Sequence, residues 1–178
     1  MDYDSGGVHP IPIWHSELSH TRENEVKLRL PPPAWALLSL LAMTALDMAE
    51  PSLTFLDTLG TLAGVALAIP GILMVLWAAF RFKSVGTTIN PMTPEKTTTL
   101  VIKGPYRFTR NPMYLGLLLI QLGWGLKLGN ALPFVFPALF AVLLTHLQIK
   151  HEEQALRDLF GSAYIKYCQR VGRWFWRI

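Results

Sequence analysis

Four apolar segments, at about 33–49, 59–80, 113–128 and 131–149, constrain the fold of this chain more than any other feature. A helix needs about 20 apolar residues to cross the hydrocarbon core of a bilayer, with roughly 17 to 25 as the usual range. The second and fourth segments meet that length. The first is short and carries Asp47 near its end. The third contains polar or small residues, which are Gln121, Gly123, Gly125 and Lys127.

The composition agrees with a membrane protein, because 51% of the 178 residues are hydrophobic and only 16% are charged. We predict an all-α, polytopic membrane helix bundle of about four transmembrane helices, in which 33–178 form a single membrane domain. Residues 1–32 are polar and rich in breakers, so we predict a flexible or surface-lying arm. The first residues have neither the basic nor the apolar region of a cleavable signal peptide.

Basic residues are distributed unevenly among the connections. Fifteen of the 16 Lys and Arg residues lie before the first segment, between the second and third, or after the fourth. Cytoplasmic loops are enriched in Lys and Arg, so we predict cytoplasmic termini and a cytoplasmic second connection. The net charge of +4 then indicates contact with anionic lipid headgroups. Nucleic-acid binding is not predicted, because no helix-turn-helix, RNA-binding or zinc-finger signature is present.

Metal binding is not predicted either. Cys168 is the only cysteine, which excludes an intrachain disulfide and a cysteine-based metal site. His9, His15 and His20 lie in a breaker-rich stretch without a recognisable ligand spacing. Solvated histidines are the favoured interpretation.

A short connection around Gly129-Asn130 separates the third and fourth segments, which predicts an antiparallel helical hairpin. A hairpin returns both of its outer ends to the same membrane face. The motif at 104–116 and the acidic pair Glu152-Glu153 are therefore expected to meet at the cytoplasmic surface.

An amphipathic cytoplasmic helix is predicted after the acidic pair. Apolar and aromatic residues recur there every three or four positions, which is one face of an α-helix. They are Leu156, Phe160, Tyr164, Tyr167 and Val171. This helix either lies on the membrane surface or also covers the site at the hairpin. The aromatic run Trp174, Phe175 and Trp176 suits the headgroup region.

The 104–116 motif and the acidic pair carry the chemistry of one zwitterionic, nucleotide-like ligand. Cations suit a carboxylate or phosphate, tyrosines offer stacking surfaces, and a glutamate suits a ribose diol or an ammonium group. The residues concerned are Lys103, Arg107, Arg110, Tyr106, Tyr114, Asn111, Glu152 and Glu153. S-adenosyl-L-methionine is a ligand of this kind.

Structural alternatives stay open for each of these residues. The cations are also typical of membrane-interface anchors, and Asn111-Pro112 is typical of a helix start, since Asn is a favoured N-cap and Pro a favoured first helical residue. Glu152-Glu153 also suits a solvated helix terminus. Pro70-Gly71, inside the second segment, indicates either a packing kink or the wall of a pocket.

The chain resembles the isoprenylcysteine carboxyl methyltransferase and phospholipid methyltransferase family between about 90 and 173. The resemblance rests on spaced blocks, which are Leu100-Val101-Ile102-Lys103-Gly104-Pro105-Tyr106, Arg110-Asn111-Pro112-Met113-Tyr114-Leu115-Gly116, Glu152-Glu153, and the stripe that follows them. It implies an integral-membrane methyltransferase that uses S-adenosylmethionine and opens toward lipid.

Matching positions give the cofactor contacts that the resemblance implies, together with two charged neighbours. They are Thr98, Thr99, Leu100, Val101, Tyr106, Arg110, Asn111, Pro112, Met113, Tyr114, Glu152 and Glu153. In the isoprenylcysteine branch a histidine stands where this chain has Asn111, and an arginine where it has Gln148. These two departures concern the acceptor, for which we name His146 and Gln148 as candidate contacts.

The predicted activity is methyl transfer to a hydrophobic or lipid-like acceptor, of the isoprenylcysteine carboxyl methyltransferase type. Methyl transfer is an in-line displacement, so the protein's main task is alignment of the reacting groups. No general base is assigned. The alternatives are a phospholipid (ethanolamine) N-methyltransferase and a catalytically silent membrane protein that binds or scaffolds.

Overall fold

The computed structural model describes residues 30–49, 58–85 and 99–175. Most of the predicted polar arm, with its three histidines, lies outside the described residues, as do Thr98 and Trp176. Within the described residues the secondary structure is helical, which confirms the all-α prediction.

Five α-helices make up the described fold. They are α1 (Pro32–Ala49), α2 (Thr58–Val85), α3 (Pro112–Leu128), α4 (Val135–Leu144) and α5 (Lys150–Arg170). Short 3₁₀ turns at Gly104–Arg107 and Leu132–Phe134 precede α3 and α4, and a π-helical turn at Thr145–Ile149 joins α4 to α5.

Three helical stretches of the described chain are long and apolar enough to cross a membrane, which are Pro32–Ala49, Thr58–Arg81 and Leu132–Arg170. The helix α3 is apolar but shorter. Large apolar side chains are exposed on the outside of the bundle, and Leu73 of α2 is 59% exposed. Outward-facing apolar side chains suit lipid contact.

The fourth predicted segment differs from the structure at its C-terminal end. The helix does not stop at Ile149 but continues through the π-helical turn into α5. No Gly or Pro lies between 138 and 160, so nothing in the sequence breaks the backbone hydrogen bonding there. The first non-helical backbone is at Gly161, whose φ of 49° redirects the last turns of α5.

Glycines allow α2 and α3 to pack with their backbones in contact. A Cβ atom placed on Gly71 would lie 2.8 Å from the carbonyl oxygen of Gly116, and one placed on Gly116 would lie 2.6 Å from that of Gly71. Gly64 and Gly123 form an equivalent pair, seven residues earlier on α2 and seven residues later on α3, because the two helices are antiparallel. Such close approach stabilises helix pairs in membranes. The Pro70-Gly71 position therefore serves packing rather than a pocket.

The predicted hairpin is formed by α3 and α4. Gly129 closes α3 with a φ of 71°, and the Oδ1 atom of Asn130 accepts a hydrogen bond from the backbone N–H of Leu132 at 3.1 Å. Tyr114 at the start of α3 and Ile149 beyond α4 belong to the same buried cluster. The outer ends of the hairpin thus lie together.

Candidate functional site

The segment that leads into α3 is fixed by the C-terminal end of the chain. The backbone N–H of Arg110 donates to the carbonyl oxygen of Gly172 at 2.9 Å. The carbonyl oxygen of Arg173 accepts from Thr109 Oγ1 at 3.0 Å and from Asn111 Nδ2 at 2.9 Å. Asn111 occupies the N-cap position and Pro112 begins the helix, but the Asn111 amide binds this distant carbonyl instead of capping α3.

Glu153 is enclosed by arginines and is only 3% exposed. Arg173 binds both of its oxygens, at 2.9 and 2.7 Å, and Arg110 lies 3.1 Å from Oε1. Arg157 approaches Oε2 at 3.6 Å. The hydrogen bonds to Glu153 raise the pKa of Arg173 above its usual value. Through these contacts the carboxylate connects α5 to the 104–116 motif and to the C-terminal segment.

Glu152 is the neighbouring residue, but its surroundings are different. Its Oε1 atom accepts from the hydroxyl of Tyr114 at 2.5 Å and from Nε2 of Gln148 at 2.7 Å. Among the described residues no Lys or Arg pairs with Glu152. Two neutral donors therefore hold this carboxyl group in place without an ion pair.

The last part of α5 covers the motif. The hydroxyl of Tyr167 donates to the carbonyl oxygen of Tyr106 at 2.7 Å. Tyr106 is itself buried, and burial raises the pKa of its phenol above the usual value. Leu100 packs against the buried cluster of Tyr164, Tyr167 and Val171. The stripe thus covers the site, which is the second of the two roles considered for this helix.

The remaining predicted cofactor contacts lie around the same motif. Val101 packs with Tyr106, and Met113 packs against the clusters of both Tyr106 and Tyr114. Thr99 is exposed. The Nε atom of Arg110 is buried and has no hydrogen-bond partner, although its other nitrogens contact Glu153 and Cys168.

A cavity of about 570 Å³ lies between α1 and the helix formed by α4, the π-helical turn and α5. Its walls are mostly Leu, Phe and Trp side chains, and its polar lining residues are Ser39, Gln148 and His151. Gln148 therefore belongs both to this cavity and to the hydrogen bonds of Glu152.

The two candidate acceptor contacts are placed differently. Gln148 is 5% exposed and faces the cavity. His146 is exposed beside Lys150, with 3.3 Å between its Nδ1 and the lysine Nζ, and it is not a lining residue of the cavity. His151 lines the cavity in its stead.

Sequence reasoning did not identify Arg173 or the α1 side of the cavity. Arg173 looks like one more basic residue near the end of the chain, and its carbonyl oxygen has no sequence signal at all. Ser39 is a small polar residue in an apolar segment, and this feature of the sequence could have indicated that α1 lines the cavity. Trp174, predicted to lie at the headgroups, donates through Nε1 to Thr145 Oγ1 at 3.1 Å, and Phe175 is exposed.

Comparison with known proteins connects this site to a family. The model of the family described as phospholipid methyltransferase matches residues 59–163. An uncharacterized protein of Haemophilus influenzae is 45% identical over 62 residues, which are 35% of this chain and 98% of that protein.

Two relatives with named activities match shorter parts of their own length. The mouse Delta(14)-sterol reductase TM7SF2 is 36% identical over 74 residues, which are 40% of this chain and 18% of that protein. Protein-S-isoprenylcysteine O-methyltransferase B of Arabidopsis thaliana is 32% identical over 77 residues, which are 43% of this chain and 39% of that protein. The matched segment is therefore less than two thirds of either protein.

The family match covers more than half of the chain and includes α2, the motif before α3, the hairpin and Glu152. It confirms the resemblance that the motif blocks indicate. With its long apolar helices, this chain is an integral membrane protein that belongs to the phospholipid methyltransferase family.

Proposed function

We propose that the protein transfers a methyl group from S-adenosylmethionine to a hydrophobic acceptor that enters from the membrane. The observation that carries this proposal is the position of Gln148. Its amide holds Glu152, and its side chain lines the apolar cavity. The carboxyl group of Glu152 thus lies one side chain away from a lipid-like environment.

The charged groups of the site suit this cofactor. Glu152 has no cationic partner among the described residues, so it is available to the ammonium group, the ribose diol or the sulfonium charge. The buried Nε–H of Arg110 lacks an acceptor and suits the cofactor carboxylate. Glu153 is already neutralised by arginines, so we assign it to the framework and not to cofactor binding. The cofactor, when bound, supplies an electrophilic methyl group.

The protein's own residues position the reacting groups and exclude water from the site. Tyr114 and Gln148 fix Glu152, and the Tyr167 contact to Tyr106 keeps the last part of α5 over the motif. Alignment of reactants alone accounts for large rate effects, with effective molarities of roughly 10⁵ to 10⁸ M. Exclusion of water strengthens the electrostatic interactions within the site.

The proposal places the site on the cytoplasmic side of the membrane. The motif, Glu152 and the C-terminal segment lie together at the end of the bundle that carries Arg110, Arg157 and Arg173. An excess of basic residues is typical of the cytoplasmic face. The partners are then membrane lipids and a lipid-like acceptor.

Reduction of an acceptor is the second candidate activity, because a relative named as a sterol reductase shares the matched segment. A reductase of this size would draw its hydride from a nicotinamide dinucleotide, whose two phosphates need cationic or backbone N–H partners. The family that matches this chain is described as a methyltransferase, and the match includes the motif, the hairpin and Glu152. Methyl transfer is the better fit.

Calorimetric titration of the purified protein with S-adenosylmethionine, in detergent and in lipid nanodiscs, tests the proposal. We expect saturable binding that Glu152→Gln weakens at least tenfold, because the charge is lost while the shape is kept. Asp158→Asn is the matched control, since Asp158 is an exposed carboxylate whose partner is Gln154, and it should leave affinity unchanged. Absence of binding in both media, or tighter binding of reduced nicotinamide dinucleotide, would overturn the proposal.

A further inference from the structure

The cavity between α1 and α4 is a partly open groove, and its volume of about 570 Å³ suits one hydrocarbon chain. Its lining residues run along one side of the helix from Phe136 through Leu143 to His151, and α1 supplies the facing wall. At a rise of 1.5 Å per residue, the distance from Phe136 to His151 is roughly 22 Å. That exceeds the ~15 Å hydrocarbon depth of one leaflet, taken as half of a ~30 Å core.

The polarity of the groove gives it a direction along this helix. On the helix, the Phe136 end is lined by Phe and Leu side chains, whereas Gln148 and the exposed His151 lie at the other end. The facing wall on α1 adds the hydroxyl of Ser39. These two are three residues apart, so they lie on the same face of the helix. Gln148 is also bonded to Glu152. A bound amphiphile therefore has its apolar chain toward Phe136 and its head beside the cofactor site.

The residues that line the cavity also restrict the charge that the head group of a bound amphiphile can carry. The cavity is lined by apolar side chains together with Ser39, Gln148 and His151, and the described lining residues include no Lys or Arg. Phosphate and carboxylate groups in proteins are normally bound by Arg, Lys or backbone N–H groups. An amide and an imidazole suit a neutral head that carries a proton.

We propose that the methyl acceptor is a single-chain amphiphile whose neutral head bears a proton on the reacting atom, and that His151 receives this proton. This inference rests on the proposed function. For a thiol head, the S–H bond breaks and the proton binds a ring nitrogen of His151. The acceptor sulfur forms a bond to the methyl carbon with the electron pair so released. The bond from that carbon to the cofactor sulfur breaks, and its electron pair stays on the resulting thioether.

Native mass spectrometry of the protein released from nanodiscs, with n-alkyl thiols of increasing chain length, measures occupancy without cofactor. We expect one thiol per protein and affinity that rises with chain length. Leu139→Trp fills the apolar end, so it should abolish the gain for the longest chains and leave short thiols unaffected. Leu76→Trp is the control, because Leu76 is exposed on α2, outside the cavity, and should change nothing.

Product analysis with S-adenosylmethionine tests the role of His151. His151→Gln should lower thiol methylation at least tenfold while thiol occupancy changes less than twofold. Occupancy by two-chain phosphatidylethanolamine equal to that of the thiols, or no effect of Leu139→Trp, would overturn the inference. Cofactor binding without thiol binding would refute this inference alone, whereas thiol occupancy without cofactor binding would refute the proposed function.

Discussion

The two sides of the bundle are built in opposite ways. The helices α2 and α3 are in backbone contact through the pairs Gly71–Gly116 and Gly64–Gly123, so no space remains between them. The helices α1 and α4 meet at the buried cluster of Ala36, Phe140 and Leu144, and a cavity of about 570 Å³ lies between them beside that contact. The motif is attached to the packed side, and the cavity opens beside it. Under the proposed function, the packed side holds the chemical groups in place and the cavity receives the acceptor.

The same contrast holds between two adjacent carboxylates. Glu153 is buried among three arginines and belongs to the packed framework. Glu152 is held by Tyr114 and Gln148, and among the described residues it has no cationic partner. Identical side chains thus have different roles because their surroundings differ.

The largest expected effect is on the packed side. In Gly116→Leu the new side chain would meet the Gly71 carbonyl oxygen and Val75, which leaves the backbone no room. We expect the free energy of unfolding, measured by denaturant titration in micelles, to fall by about 3 kcal/mol or more. Ala66→Leu on the exposed face of α2 is the matched control. Equal stability of the two variants would contradict the packed interface.

Glu153→Gln should have the next largest effect. It leaves Arg110 and Arg173 without their carboxylate, and breaking a fully buried ion pair costs ~3–5 kcal/mol. Arg157 and Arg173 are partly exposed, so we expect a loss of about 2 kcal/mol in unfolding free energy. The matched substitution Glu152→Gln should cost less than about 1 kcal/mol of stability. The reverse order would exchange the roles of the two carboxylates.

Tyr114→Phe tests the support of Glu152. The substitution removes one hydrogen bond to a charged group, whose net value is about 1.5 kcal/mol. We expect cofactor affinity, measured by calorimetry, to fall about tenfold. The free energy of unfolding should fall by no more than that value, because the ring stays packed with Phe140 and Leu144. Unchanged affinity would mean that Tyr114 serves packing alone.

Ser39→Ala is the smallest perturbation. Ser39 lines the cavity, and its hydroxyl donates to Oε1 of Gln121 at 2.5 Å. Hydrogen bonds between membrane helices average about 0.6 kcal/mol. We expect a loss of that size in unfolding free energy and no change in cofactor affinity. A tenfold change in cofactor affinity would extend the cofactor site into the cavity.

Much of the fold could be predicted because apolar length and turn residues are local signals. The four apolar segments and the connection at Gly129-Asn130 specify helices and a hairpin, and the hairpin brings Tyr114 to Glu152. The continuation of the last helix past Ile149 was not predicted. In the sequence, a change from apolar to charged residues looks like the end of a helix, although such a change leaves the helical hydrogen bonds intact.

Sequence reasoning named Tyr114, Glu152 and Glu153, but it did not identify Arg173 or the different partners of the two glutamates. Glu152 and Glu153 look alike in sequence, and only the positions of Arg110, Arg157 and Arg173 distinguish them. The cavity depends on how far α1 lies from α4, which no local pattern encodes. Both His146 and His151 are exposed, and only the structure shows that His151 lines the cavity whereas His146 lies beside Lys150.

A crystal structure of the protein with S-adenosylhomocysteine tests the central claim most directly. The account predicts that the ligand contacts Glu152 and Arg110 Nε and that its sulfur faces the cavity between α1 and α4. It also predicts that the arginines remain bound to Glu153. A ligand bound at Glu153 in place of those arginines, or at any site that does not open to the cavity, would contradict the account.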